Sequence, residues 1–161
     1  MKKFTLLLSL LTIGAAGAAA EPITSTPSGT LCDEVYRSAS SWLLTSTSVG
    51  SFSNYGYNGA IVTNGDDIYV YKYVSEIRDN YWIKGTVKDG VAEFAFPQEV
   101  PFTAVAGGTT VTATINVLEP KRADNGGIDL VTAADNVLRM NWDGSKLTQI
   151  VTEPSDPAFA K

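Results

Sequence analysis

The chain has 161 residues, with 17 Asp and Glu against 12 Lys and Arg and no histidine, for a formal net charge of −5. That balance argues against a nucleic-acid partner, because phosphate binding needs clustered Lys and Arg and the longest basic run past residue 20 is Lys121-Arg122. It argues equally against electrostatic attachment to an anionic membrane, and the missing histidine removes Ser-His-Asp catalysis and His-ligated zinc.

The chain opens with Met1-Lys2-Lys3, then FTLLLSLLTIGAAGAAA, an apolar run tapering into small residues. This pattern predicts a secretory signal peptide over residues 1–20, cleaved after Ala18-Ala19-Ala20 so that Glu21-Pro22 opens the mature protein. Its strongly apolar part, Phe4 to Ile13, is shorter than the roughly 20 residues that cross a bilayer, so an integral membrane protein is not expected. Cys32 lies well past the apolar run and follows Gly29-Thr30-Leu31, with a large residue where a lipoprotein peptidase wants a small one. The expected location is the periplasm, the cell surface or the medium. A single cysteine forms no internal disulfide, and without histidine to activate it Cys32 reads as an inert, buried thiol.

Residues 21–30 (EPITSTPSGT) read as an exposed leader, residues 31–151 as a single β-domain and residues 152–161 as a tail. The segment LCDEVYRSASSWLLTSTSV admits a short helix with Leu31, Val35, Ala39 and Trp42 on one face, or an edge strand; its Ser and Thr content favours the strand. GSFSNYGYNG reads as a connection. The centre of the domain is Gly59 to Gln98, where two hairpins are marked by Asn64-Gly65 and Asp89-Gly90 between runs rich in Val, Ile, Tyr and Phe. Period-two alternation in IYVYKYV places Tyr69, Tyr71 and Tyr73 on one face and Ile68, Val70, Lys72 and Val74 on the other. In the next strand Trp82, Lys84 and Thr86 share one side, with Tyr81, Ile83 and Val87 opposite.

QEVPFTAVAGG reads as a bridge or a cap on the sheet, TVTATINVLE as a strand, EPKRADNGG as a loop and IDLVTA as a short strand. NVLRMNW and KLTQIV form a last hairpin around Asp143-Gly144. The fold class expected is all-β, an antiparallel sandwich or barrel of about 8–10 strands built from hairpins.

Several of these stretches, YGYNGAIVTNGDDIYVYKYV, YWIKGTVKDG, the closing FPQ and the late NWDGSKLTQ, resemble a group of secreted proteins from gut and oral Bacteroidales. In that group a Tyr-rich strand and a Trp-x-Lys-Gly strand follow a signal peptide, and the resemblance spans most of residues 28–150. It implies location and fold more than activity. Many members continue into a sorting domain for outer-membrane secretion; residues 152–161 do not read as the start of one, so either a short member or a truncated sequence is expected.

For chemistry, the residues leave carboxylates. A glycosidase needs two, about 5–10 Å apart across a cleft, and Asp66, Asp67, Glu76, Asp79 and Glu93 are the acids near the core. Asp66 and Asp67 abut a turn, Glu76 and Asp79 sit in a polar connection, and Glu93 fits a solvated strand face. NGDD at 64–67 and DNGGID at 124–129 offer oxygens for calcium, but neither matches the twelve-residue calcium loop and turns use the same residues. No metal or other cofactor is implied.

The feature that remains is aromatic. Tyr69, Tyr71, Tyr73 and Trp82 would serve as a platform for sugar rings, or equally as the large members of a sandwich core. The sequence is therefore read as an exported, non-enzymatic binding or envelope-associated β-domain with a glycan or another envelope polymer as partner. A histidine-free glycan hydrolase using paired carboxylates, and a lipocalin-like barrel holding an apolar ligand, stay open as alternatives.

Overall fold

The structure is a computed structural model of the chain, and it describes residues 21–32, 41–44, 51–54, 59–74, 77–150 and 157–158. The expected signal peptide, Glu76 and most of the expected tail lie outside the described residues. The described part is all-β and antiparallel. In chain order it holds β1 (Thr30–Cys32), β2 (Ser41–Leu44), β3 (Ser51–Asn54), β4 (Ile61–Asn64), β5 (Asp67–Tyr71), β6 (Trp82–Lys88) and β7 (Val91–Ala95). These are followed by β8 (Gln98–Thr103), β9 (Thr110–Arg122), β10 (Ile128–Thr132), β11 (Val137–Trp142) and β12 (Leu147–Gln149). Ten strands have four residues or more, and β1 and β12 are three-residue edges. Among the described residues no helix is long and apolar enough to cross a membrane.

One sheet runs β1-β4-β5-β6-β7-β11-β12, and the other runs β10-β9-β2-β3 with β8 also paired to β9. Turn chemistry sets the hairpins. Asp89 (φ 51°) and Gly90 (φ 77°) form the two-residue turn between β6 and β7, since Lys88 pairs with Val91. In β4–β5 the turn is Gly65-Asp66, because Asn64 pairs with Asp67; Gly65 at φ 60° supplies the required conformation one residue later than the Asn64-Gly65 reading. Between β11 and β12, Asp143 Oδ1 accepts from the N–H groups of Ser145 (2.9 Å) and Lys146 (2.8 Å). Those donors, that of Lys146 foremost, hold the Asp143 carboxyl below the usual carboxylate range.

Two stretches read as connections are strands. Ser51–Asn54 is β3, paired with β2. QEVPFT is β8, despite its proline: the Thr103 N–H points away from β9 to Asp79 Oδ2 (2.6 Å), and Pro101, two residues earlier, shares that orientation. The proline therefore removes no rung of the ladder. The loop read at EPKRADNGG is shorter than expected, because β9 continues through Arg122.

The core lies between the sheets. Ile61, Ile68, Val70, Ile83, Phe94, Leu138 and Met140 from the larger sheet meet Val100, Ala113 and Ile115 of β8 and β9. Burying each large apolar side chain contributes about 1.5–3 kcal/mol, whereas a solvent-screened ion pair such as Lys84–Asp67 (2.7 Å) contributes little. The packed core therefore holds the fold. Cys32 is half-buried and packs against it.

Asn136 ties the layers together. Its Oδ1 accepts from Val117 N–H (2.9 Å) on β9, its Nδ2 donates to Asn116 Oδ1 (2.9 Å), and its carbonyl accepts from Phe96 N–H (2.9 Å) at the end of β7. It does so at φ 48°, which asparagine tolerates better than most residues. Asn136→Ala is expected to lower the unfolding free energy by about 2–3 kcal/mol, by orphaning the Val117 donor and straining the backbone. Asn136→Gly, which accepts that φ, should cost roughly 1 kcal/mol less, both read by urea titration.

Candidate functional site

The outer face of the larger sheet gathers most of the expected aromatic residues. Cross-strand partners point to the same face, and Tyr69 pairs with Lys84, Tyr71 with Trp82 and Asp67 with Thr86. Tyr69, Tyr71 and Trp82 therefore lie together, away from the core. The Tyr71 and Trp82 rings are tilted at 48° with centroids 5.0 Å apart, within the distance range of favourable aromatic pairs. Tyr71 Oη donates to Asn80 Oδ1 (2.6 Å), fixing the ring.

Tyr73 does not join them. β5 ends at Tyr71, Lys72 takes φ 46°, and the reversal turns Tyr73 and Val74 both into the core, where each is fully buried. Strict alternation therefore fails after Tyr71. Beside them Tyr81 is buried too, its Oη accepting from Val74 N–H (2.6 Å) and donating to Val74 O (3.0 Å).

Lysines lie over the two half-buried tyrosine rings. Lys84 Nζ stands 5.7 Å from the Tyr69 centroid and Lys72 Nζ 5.5 Å from that of Tyr71, both within cation–π range. Lys84 is held by Asp67 Oδ2 (2.7 Å), which also accepts from Tyr69 Oη (3.3 Å). The hydrogen bond from Lys84 holds Asp67 below the usual carboxylate range, and the same bond raises Lys84. This pair strengthens the fold above the ordinary carboxylate pKa, and that contribution is lost as pH falls through the lowered value.

A cleft of about 320 Å³ opens beside Trp82. It exists because β7 leaves β6. The two pair from Lys88–Val91 to Thr86–Glu93, after which β7 goes on pairing with β11 alone. At the parting point, a Cβ on Gly85 would stand 2.6 Å from Glu93 O and 2.7 Å from Phe94 Cδ1, so only glycine lets β7 cross there.

The edge of β6 exposed by this divergence is satisfied by substitutes. Lys84 N–H donates to Gln98 Oε1 (2.8 Å), and Gln98 Nε2 donates to Lys84 O (2.7 Å) and Ala95 O (3.0 Å). The carboxamide acts as an extra peptide group in the ladder. Trp82 N–H donates to Ile23 O (2.9 Å), so part of the expected leader is pinned to the domain. Ile23, Trp82, Ala95 and Pro97 give the cleft its apolar surface, and Lys84, Thr86 and Gln98 give it polar groups, with Glu21, Glu93 and Glu99 among the lining residues. Trp82 is 5% exposed, so only a small part of it is open to the cleft.

Of the four described carboxylates considered for hydrolysis, three hold partners. Asp66 is exposed at its turn and Asp67 is bound to Lys84. Asp79 accepts from Thr103 N–H and Oγ1–H. Glu93 Oε1 pairs with Arg139 Nε (2.9 Å), whose Nη1 also reaches Asp135 Oδ2 (2.6 Å). In the loop considered for calcium, Asn125 Oδ1 accepts from Gly127 N–H (2.8 Å).

Sequence reasoning placed Trp82 beside Lys84 but missed the cleft. The available signal was Gly85, a glycine inside a strand, which marks a close backbone approach. The role of Gln98 depends on tertiary geometry alone. No protein-family model, curated protein or solved structure matches this chain.

Gln98→Ala is expected to destabilise the fold by about 1–2 kcal/mol in chemical denaturation, since the Lys84 and Ala95 backbone groups lose their partner. In a carboxyl NMR titration, Lys84→Gln should return Asp67 toward its ordinary range, with the Arg139-bound Asp135 unchanged.

Proposed function

We propose that the chain is an exported, non-enzymatic β-domain that binds carbohydrate, of a free glycan or an envelope polymer, in the cleft where β6 and β7 part. The supporting observation is the composition of that cleft. Sugar rings present apolar C–H patches bordered by hydroxyls, and Trp82, Ala95 and Pro97 lie among Lys84, Gln98 and the lining glutamates. Tyr71 extends the aromatic surface alongside. Export rests on the N-terminal pattern of a short basic start, an apolar run and Ala18-Ala19-Ala20.

This reading is preferred over both alternatives. A hydrolase requires two free carboxyls facing one bond, and of the described acids considered for hydrolysis only Glu93 lines the cleft, where it is committed to Arg139. An apolar-ligand barrel requires interior space, whereas Tyr73, Tyr81, Phe94, Ile77 and Met140 fill the inside with exposures below 2%.

The test is a glycan array with the chain from Glu21 onward, followed by fluorescence titration of each hit. Binding is expected to change Trp emission, and Trp82→Phe should remove most of that change while the fold persists. Tyr71→Ala should weaken the affinity about tenfold, the scale of one aromatic contact. A blank array, or hits that neither variant affects, would contradict the reading.

A further inference from the structure

We propose that the chain self-associates across a two-fold axis by antiparallel pairing of β10 with β10 of a second copy. The inference is independent of the carbohydrate reading and starts from the sheet edges. An edge strand offers unpaired N–H and C=O groups to any other strand, and proteins blunt edges by shortness, proline or inward charge. The larger sheet ends in β1 and β12, each of three residues. On β8, Pro101 lies on the side away from β9 and leaves that edge without a donor.

Among the described residues β10 ends the smaller sheet; it is five residues long, has no proline, and carries its one charge, Asp129, on an exposed side chain. Its sequence is IDLVT, with no lysine or proline, and Ile128 and Leu130 are 64% and 40% exposed. Both face the same side, with Pro120 and Arg122 as their partners on β9.

Backbone parity fixes which groups are free. Ala133 N–H donates to Val117 O, and Ala123 N–H to Gly127 O, so the odd-numbered residues of β10 direct their backbone groups toward β9. Ile128, Leu130 and Thr132 therefore direct theirs to the open edge. In an antiparallel self-pairing centred on Leu130, Leu130 meets Leu130 of the second copy and Ile128 meets its Thr132. Every edge-facing N–H and C=O of the strand then finds a partner.

Charge selects the same register. Centring the pair on Asp129 would set two carboxylates directly opposite each other, which is destabilising. Centring on Leu130 sets Asp129 against Val131 and leaves it beside Lys121 on β9. On the other face the two copies of Pro120, Leu130 and Ile128 then form one apolar band, with Arg122 at both margins. A symmetric, self-complementary patch of this kind is what a two-fold dimer requires.

The test is sedimentation of the full chain, expressed from Met1 and purified as the cell leaves it, from low micromolar to several hundred micromolar. The apparent mass is expected to double with concentration, with slowed amide exchange at Ile128, Leu130 and Thr132. Leu130→Pro removes one edge-facing donor without touching the β9 ladder, and Leu130→Lys adds opposed charges on an exposed site. Both should be monomeric throughout with an unchanged far-ultraviolet spectrum; if the proline variant fails to fold, the lysine variant decides alone. A wild-type chain that stays monomeric at the highest concentration, or a dimer that survives Leu130→Lys, would overturn the proposal.

Discussion

The contact between Gly85 and the crossing backbone of β7 is the constraint on which the candidate site depends. Glu93 O and Phe94 occupy the space a Cβ would need. A strand pair that would otherwise zip closed is thereby split, with β7 following β11 and β6 left with backbone groups to satisfy. Leaving such groups unpaired and shielded costs about 1–3 kcal/mol each. The Gln98 carboxamide and the Ile23 carbonyl meet that demand, and in doing so they wall the cleft beside Trp82. Architecture and site therefore arise from one event.

The same logic explains the electrostatics of the outer face. Lys84 donates to Asp67 while its head stands over Tyr69, so one side chain orders an acid and an aromatic ring on the strand beside it. These exposed interactions add little to stability. Their effect is positional, keeping polar groups at fixed places around apolar surface. Stability comes from the core and from Asn136, which joins β9 to the end of β7 through both side chain and backbone.

The all-β class and the central hairpins were legible because their signals are local. Asp89-Gly90 specifies its turn from two residues, and alternation correctly set Trp82 and Lys84 opposite Tyr81 and Ile83. Tyr73 was misread because the reversal at Lys72 has no glycine to announce it. β8 was missed because Pro101 reads as a breaker unless the direction of its missing N–H is known, and that direction is visible only through the Thr103–Asp79 bond. Gln98 belongs to the same class: a glutamine completing a sheet has no sequence signature. Self-pairing of β10, at the end of the other sheet, would present two clefts per particle, and linked sites strengthen attachment to a repeating polymer without any new contact.

Amide hydrogen exchange at Trp82 and Lys84 tests the central claim most directly, because neither N–H has a conventional strand partner. If Ile23 and Gln98 complete the edge of β6, both amides will exchange as slowly as that of Thr86, which lies in the β6–β7 pairing. Exchange at the rate of an open loop would mean that the seam is unsealed, and the cleft as a built site would fall with it.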